Sequence, residues 1–119
     1  MKVLIVDDSA SVRQQVSLAL QGAGIGVLEA VDGADGLSKI ETTPDVSVVI
    51  CDVNMPRMNG LEMLEKLAQS AVRKPPIIML TTEGQPALMQ RAKAAGARGW
   101  MVKPFKADLL VATVKKLAA

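Results

Sequence analysis

The chain has 119 residues, half of them apolar and 22% charged, with a net charge of +2. That is enough for one domain with a real core and short for two. The scattered basic residues form no nucleic-acid-binding stripe, no apolar run approaches the ~20 residues of a membrane-spanning helix, and the absence of histidine excludes a His base, a His metal ligand and a phosphohistidine.

The N-terminus supplies the first predicted element. Lys2 to Val6 is an apolar run without polar alternation, as in a strand buried on both faces of a parallel sheet. It turns acidic at Asp7 and Asp8, too early for a secretory signal, so a cytoplasmic protein is expected. Val12, Val16, Ala19 and Leu20 then mark one face of a first helix, which Gly22 and Gly24 can close. Ile25 to Val31, interrupted by Gly26 and Glu29, suits a strand nearer an edge. A short second helix is predicted from Ala34 to Glu41.

Val46 to Cys51 is the next strand, and its apolar run ends abruptly on Asp52. Cys51 is the only cysteine, so no internal disulfide forms, and it reads as small buried packing. Asn59 can cap a third helix with Leu61, Leu64, Leu67 and Ala68 on its inner face. Strands at Pro76 to Leu80 and Trp100 to Val102, which also lack polar alternation and are expected to be buried on both faces, flank a fourth helix that starts near Pro86 and ends at Gly96. The last helix, Ala107 to Leu117, should turn Leu109, Leu110, Val114 and Leu117 inward and Lys115 and Lys116 outward. Five strands alternating with five helices predict a single doubly wound α/β domain over residues 1–119, with no output domain expected after the last helix.

In open parallel sheets, ligands bind beyond the carboxyl ends of the strands. Those ends carry Asp7 and Asp8, Asp52, Thr81 and Thr82, and Lys103. Singly, each has an ordinary reading: an acidic residue before Ser9 is a helix cap, and threonines form turns. Together they describe a chemistry. Crowded carboxylates take up a proton or bind a cation, and an all-oxygen cluster without His or Cys selects a hard ion, with Mg²⁺ suited to a small open site. Mg²⁺ beside a lysine makes a landing site for a phosphoryl group, with Asp52 as carboxylate nucleophile, Lys103 neutralising the transferring oxygens and Thr81 donating a hydrogen bond to the new phosphate.

Asp7-Asp8 after "VLIV", Asp52 after "VVIC", "MPRMNG" at Met55 to Gly60, Thr81 after "IIML" and "KPF" at Lys103 to Phe105 closely resemble the receiver domain of two-component response regulators. The similarity covers essentially the whole chain. It implies a CheY-like, flavodoxin-like sheet with strand order 2-1-3-4-5, Asp52 as phosphoacceptor, and Mg²⁺ held by Asp8 directly, Asp7 often through water, Asp52 and the backbone carbonyl of Asn54. It also implies a cis peptide before Pro104, movement of Thr81 toward the phosphoryl group, and Trp100 at the aromatic switch position usually held by Tyr or Phe. Asn54 and Glu83, two residues beyond Asp52 and Thr81, match positions that set the lifetime of the acyl phosphate.

With no output domain expected, the chain resembles stand-alone regulators of the chemotaxis type. Expected partners are a histidine kinase, an effector such as the flagellar motor switch, and a phosphatase, with no nucleic acid and no membrane, and the protein acting as a monomer. Phosphorylation would remodel the surface of the fourth helix, fifth strand and fifth helix. Enzymatic turnover is not expected beyond self-phosphorylation from a donor and autodephosphorylation. Rival readings are a phosphorelay intermediate passing the group to a histidine of another protein, a Mg²⁺-dependent phosphohydrolase with an aspartyl nucleophile, and a flavodoxin-like cofactor binder.

Overall fold

A computed structural model of the chain describes residues 1–70 and 74–119. Strand and helix alternate in the order β1 (Lys2–Val6), α1 (Ala10–Gly22), β2 (Gly26–Ala30), α2 (Gly33–Thr42), β3 (Val46–Cys51), α3 (Gly60–Ala68), β4 (Ile77–Thr81), α4 (Pro86–Ala94), β5 (Gly99–Val102) and α5 (Ala107–Ala118). The strands form one parallel sheet in the order β2-β1-β3-β4-β5.

Alternation of side chains along each strand splits the core in two. Leu4, Val6, Val49, Cys51, Ile77 and Met79 point to one face, where they meet Ile40 of α2, Leu61, Leu64 and Leu67 of α3 and Ala92 of α4. Val3, Ile5, Val48, Ile50, Ile78 and Leu80 point to the other, against Val16 and Leu20 of α1 and Leu110 and Val114 of α5. Each fully buried Leu or Ile contributes roughly 1.5–3 kcal/mol relative to exposure, so strands apolar on both faces are what this fold requires. A one-residue slip of β3 would exchange the two sets and carry Asp52 away from the crevice.

Helix starts follow local chemistry. The Ser9 side chain caps α1 by accepting from the Val12 N–H, so the cap is the serine and not the acidic residue before it. Asp32 caps α2, and Asn59 and Glu62 close a reciprocal capping box on α3. Helix α4 begins with Pro86 at its first turn, has no side-chain cap, and buries only Ala92. Gly24 and Gly96, at φ +80° and +103°, end the turns after α1 and α4, where a side chain would be strained.

Three sequence expectations need correction. The Trp100 to Val102 run reads as doubly buried, but β5 is an edge strand and Val102 is 53% exposed. Leu109 points to solvent because Leu110 and Val114 already occupy the inner stripe of α5. Ala68 is likewise exposed, and Met63 takes the buried place on α3.

Two glycines on helices predict opposite outcomes. At Gly60 a Cβ would run into the carbonyl oxygen of Asp52, whereas at Gly22 it would meet nothing within 4 Å. Gly60→Ala should lower stability by about 3 kcal/mol, and Gly22→Ala should raise it by roughly 0.5–1 kcal/mol. Urea unfolding midpoints of the two variants against the parent measure both.

Candidate functional site

The sheet order reverses direction between β1 and β3, and the crevice beyond their carboxyl ends is where the chain gathers its polar side chains. Asp7 and Asp8 follow β1, Asp52 follows β3, Thr81 is the last residue of β4, and Lys103 follows β5. Asp7, Asp52 and Thr81 are buried, and Asp8 stands exposed at the rim. The rigid strands deliver these groups; the loops arrange their polar partners.

At the centre lies Lys103. Its Nζ donates to Asp7 Oδ2 at 2.9 Å and to Asp52 Oδ2 at 3.0 Å, spanning the ends of three strands. The remaining carboxylate oxygens are held by backbone: Asp7 Oδ1 accepts from the Ser9 N–H at 2.9 Å, and Asp52 Oδ1 from the Val53 N–H at 2.7 Å. The peptide between Lys103 and Pro104 is cis, as the family resemblance implies.

Burial and charge act against each other here. Burial, the largest effect on Asp7, pushes its carboxyl above the ordinary value, and the Lys103 ammonium and the Ser9 N–H only partly offset it. Burial also opposes the charge on Lys103, but the hydrogen bonds and charges of Asp7 and Asp52 outweigh it and hold the ammonium above its ordinary range. The Cys51 thiol is fully buried beside these carboxylates and is pushed far up by desolvation, so it stays protonated; it donates to the Asp52 carbonyl at 3.2 Å. That agrees with a packing role.

Asp7, Asp8 and Asp52 each present a carboxylate oxygen, and these atoms lie within 4.8 Å of one another. Two buried carboxylates and a third at the rim, facing one lysine, leave more negative charge than a single ammonium neutralises. A hard, oxygen-seeking divalent ion that keeps part of its water shell fits this donor set.

A second group of predicted residues joins the loops above the crevice. Asn54 Nδ2 donates to Glu83 Oε1 at 2.7 Å, linking the β3–α3 and β4–α4 loops. Thr81 Oγ1 accepts from the Glu83 N–H at 3.2 Å, and the Trp100 indole Nε1–H donates to the Glu83 carbonyl at 3.0 Å. Glu83 is thereby held through its side chain, its amide and its carbonyl by three of the residues the sequence singled out. Trp100 also lines a groove of about 390 Å³ with Pro86, Met89, Ala97 and Gly99, between α4 and β5.

Sequence reasoning passed over one pair. Arg57, at φ +65°, donates from Nε to Asp32 Oδ2 at 2.8 Å, and its Nη2 lies 2.6 Å from the same oxygen. Asp32 before Gly33 had a legible signal as a helix cap. Its arginine partner, 25 residues on, had none.

The chain also resembles known proteins. The response regulator receiver domain profile matches residues 3–115. The Helicobacter pylori chemotaxis protein CheY1 is 41% identical over 112 residues, covering 92% of this chain and 90% of that protein. Vibrio cholerae chemotaxis protein CheY4 superposes with a TM-score of 0.88 at 47% identity, covering 98% and 97% of the two chains. The CheX-CheY-BeF3-Mg complex from Borrelia burgdorferi gives a TM-score of 0.91 at 26% identity, covering 100% and 90%.

Because the folded-state pKa of Lys103 is raised, its contribution to stability is fully present below pH 10.5 and is lost as pH climbs through the raised value. Lys103→Met should therefore be less stable than the parent across neutral pH, with the gap narrowing only above pH 10.5. Urea midpoints measured from neutral to strongly alkaline pH test this, and a gap that closes already near neutrality would contradict it.

Proposed function

This chain belongs to the response regulator receiver domain family, and on that premise we propose that it is a chemotaxis-type phosphorylation switch with Asp52 as phosphoacceptor. The observation that carries the proposal is the Lys103 ammonium shared between Asp7 and Asp52, with the oxygen of Asp8 in the same cluster. In this reading residues 1–119 act as one receiver domain, in the cytoplasm and as a monomer.

The chemistry follows from the mount. A carboxylate oxygen of Asp52 attacks the phosphorus of a phosphohistidine on the partner kinase, a new oxygen–phosphorus bond forms, and the bond to the imidazole nitrogen breaks with its electron pair leaving on nitrogen. Lys103, already hydrogen-bonded to Asp52, keeps contact with the negatively charged phosphoryl oxygens as they arrive. Asp7, Asp8, Asp52 and the backbone carbonyl of Asn54 would hold Mg²⁺, which supplies charge neutralisation at the phosphoryl group when bound. The magnesium in the Borrelia complex supports that choice of ion. In this reading hydrolysis of the acyl phosphate limits the signal, and Asn54 and Glu83, hydrogen-bonded to each other, influence how fast it proceeds.

Output is carried by the loop after β4. Thr81 accepts from the Glu83 N–H, so turning its hydroxyl toward a phosphoryl group gives up that bond and releases the loop. Trp100 grips the same residue through its carbonyl. Rearrangement of the pair changes the α4-β5-α5 surface and biases a two-state equilibrium toward an effector-binding form. The effector in this reading is a flagellar motor switch protein, with a phosphatase as a further partner; the Borrelia CheX-CheY complex supports binding of a second protein by a chain of this kind.

Incubation with a small acyl phosphate and Mg²⁺ should place an acid-stable, hydroxylamine-labile label on the parent, and Asp52→Asn should lose it. Equal labelling of the two proteins would overturn the assignment. Trp100 is the only tryptophan, so its fluorescence should change when donor and Mg²⁺ are both present. An unchanged spectrum in fully labelled protein would remove it from the switch.

A further inference from the structure

The β3–α3 loop has two tasks in the proposed chemistry: it follows Asp52 directly, and it carries the Asn54 carbonyl. Its path is irregular. The Met58 N–H closes a tight turn onto the Pro56 carbonyl at 2.7 Å, and Arg57 sits at φ +65°, the only non-glycine residue with positive φ among those described. A bulky residue holds such a conformation only where its surroundings over-determine it.

Those surroundings are the start of α2. Asp32 is 2% exposed, and its two carboxylate oxygens do different work. Oδ1 caps α2 by accepting from the Asp35 N–H at 2.8 Å, while Oδ2 takes both guanidinium contacts from Arg57. Beside this pair the Gly33 N–H donates to the Met58 carbonyl at 3.0 Å. The approach is so close that a Cβ on Gly33 would lie 2.6 Å from that oxygen. The cap N–H of Asp35 and the Arg57 guanidinium hold the Asp32 carboxyl below its ordinary range, so the pair stays ionised across neutral pH. With Oδ1 held by the helix cap and Oδ2 turned to the largely exposed Arg57 side chain, the carboxylate is a fixed point to which the loop is tied.

We infer that Asp32 and Arg57 form a positioning pair that fixes the β3–α3 loop, which carries the Asn54 carbonyl proposed as a metal ligand. The inference rests on the metal-binding reading above and extends it to residues that touch neither metal nor phosphoryl group. Opposite ends of the loop are then tied to opposite neighbours: Arg57 to the β2–α2 loop and the Asn54 side chain to Glu83 of the β4–α4 loop. Outer partners of this kind typically change metal affinity by ~10-fold or more when removed, without touching the ligands themselves.

Arg57→Gly separates this role from simple stability, because glycine accepts positive φ freely while the guanidinium is lost. Calorimetric titration with Mg²⁺ alone should give a dissociation constant about tenfold weaker than the parent. The urea midpoint without metal should change little, and the labelling rate of Asp52 at saturating Mg²⁺ should stay near that of the parent. Arg57→Lys, which keeps the charge and loses the guanidinium fork, should fall between. Adding Asp32→Asn to Arg57→Gly should weaken Mg²⁺ no further, since the two act through one contact. Parent-like Mg²⁺ affinity in Arg57→Gly, or weakened affinity that merely tracks a lowered urea midpoint, overturns the inference while leaving the phosphoacceptor reading intact. A parent that neither binds Mg²⁺ nor labels on Asp52 overturns both.

Discussion

The Lys103 ammonium stands between two buried carboxylates at the ends of different strands, and much of the molecule is arranged around that contact. Asp7 and Asp52 are each nearly out of solvent, where an uncompensated charge is costly. One cation shared between them is enough to let the fold form, and too little to satisfy the site once Asp8 is included. The residual negative charge is the property that makes the crevice receptive to a divalent cation. A second lysine in this place would stabilise the apo fold and remove the reason to bind metal.

The sheet and the loops divide the labour. Parallel strands apolar on both faces are stiff mounts, fixed in register by two separate cores, so they set the distances between Asp7, Asp52 and Lys103. The loops carry what must adjust. Glu83 is held by Asn54, Thr81 and Trp100 through hydrogen bonds that are individually modest, a net ~1 kcal/mol each. Contacts of that size can be exchanged by a single chemical event at Asp52, whereas the cores beneath are beyond its reach.

The fold was legible because it is written in short-range patterns: unbroken Val and Ile runs for β1 and β3, helical spacing at Leu61, Leu64 and Leu67, and an Asn cap at residue 59. The acidic residues and Lys103 were legible for the same reason, each ending an apolar run. Where the reading failed, the deciding fact was long-range. Nothing in Trp100 to Val102 says that β5 lies at the edge of the sheet, and nothing around Leu109 says that Leu110 and Val114 already fill the contact with the sheet. The Asp32–Arg57 pair is the plainest case. A cap is a local signal, but which cation reaches the cap's second oxygen depends on how two loops meet in space.

Helix α4 fully buries only Ala92, packs Leu88 partly against the same core, and begins without a side-chain cap. Most of its surface is therefore free of the packing requirements that fix α3 or the central strands. In the proposed switch, where this face meets the effector, substitutions along it can change which protein is recognised while leaving folding and the proposed phosphoryl chemistry alone. Related chains sharing this crevice can thus diverge into separate, non-interfering circuits by drifting at one helix, with specificity evolving at almost no thermodynamic cost.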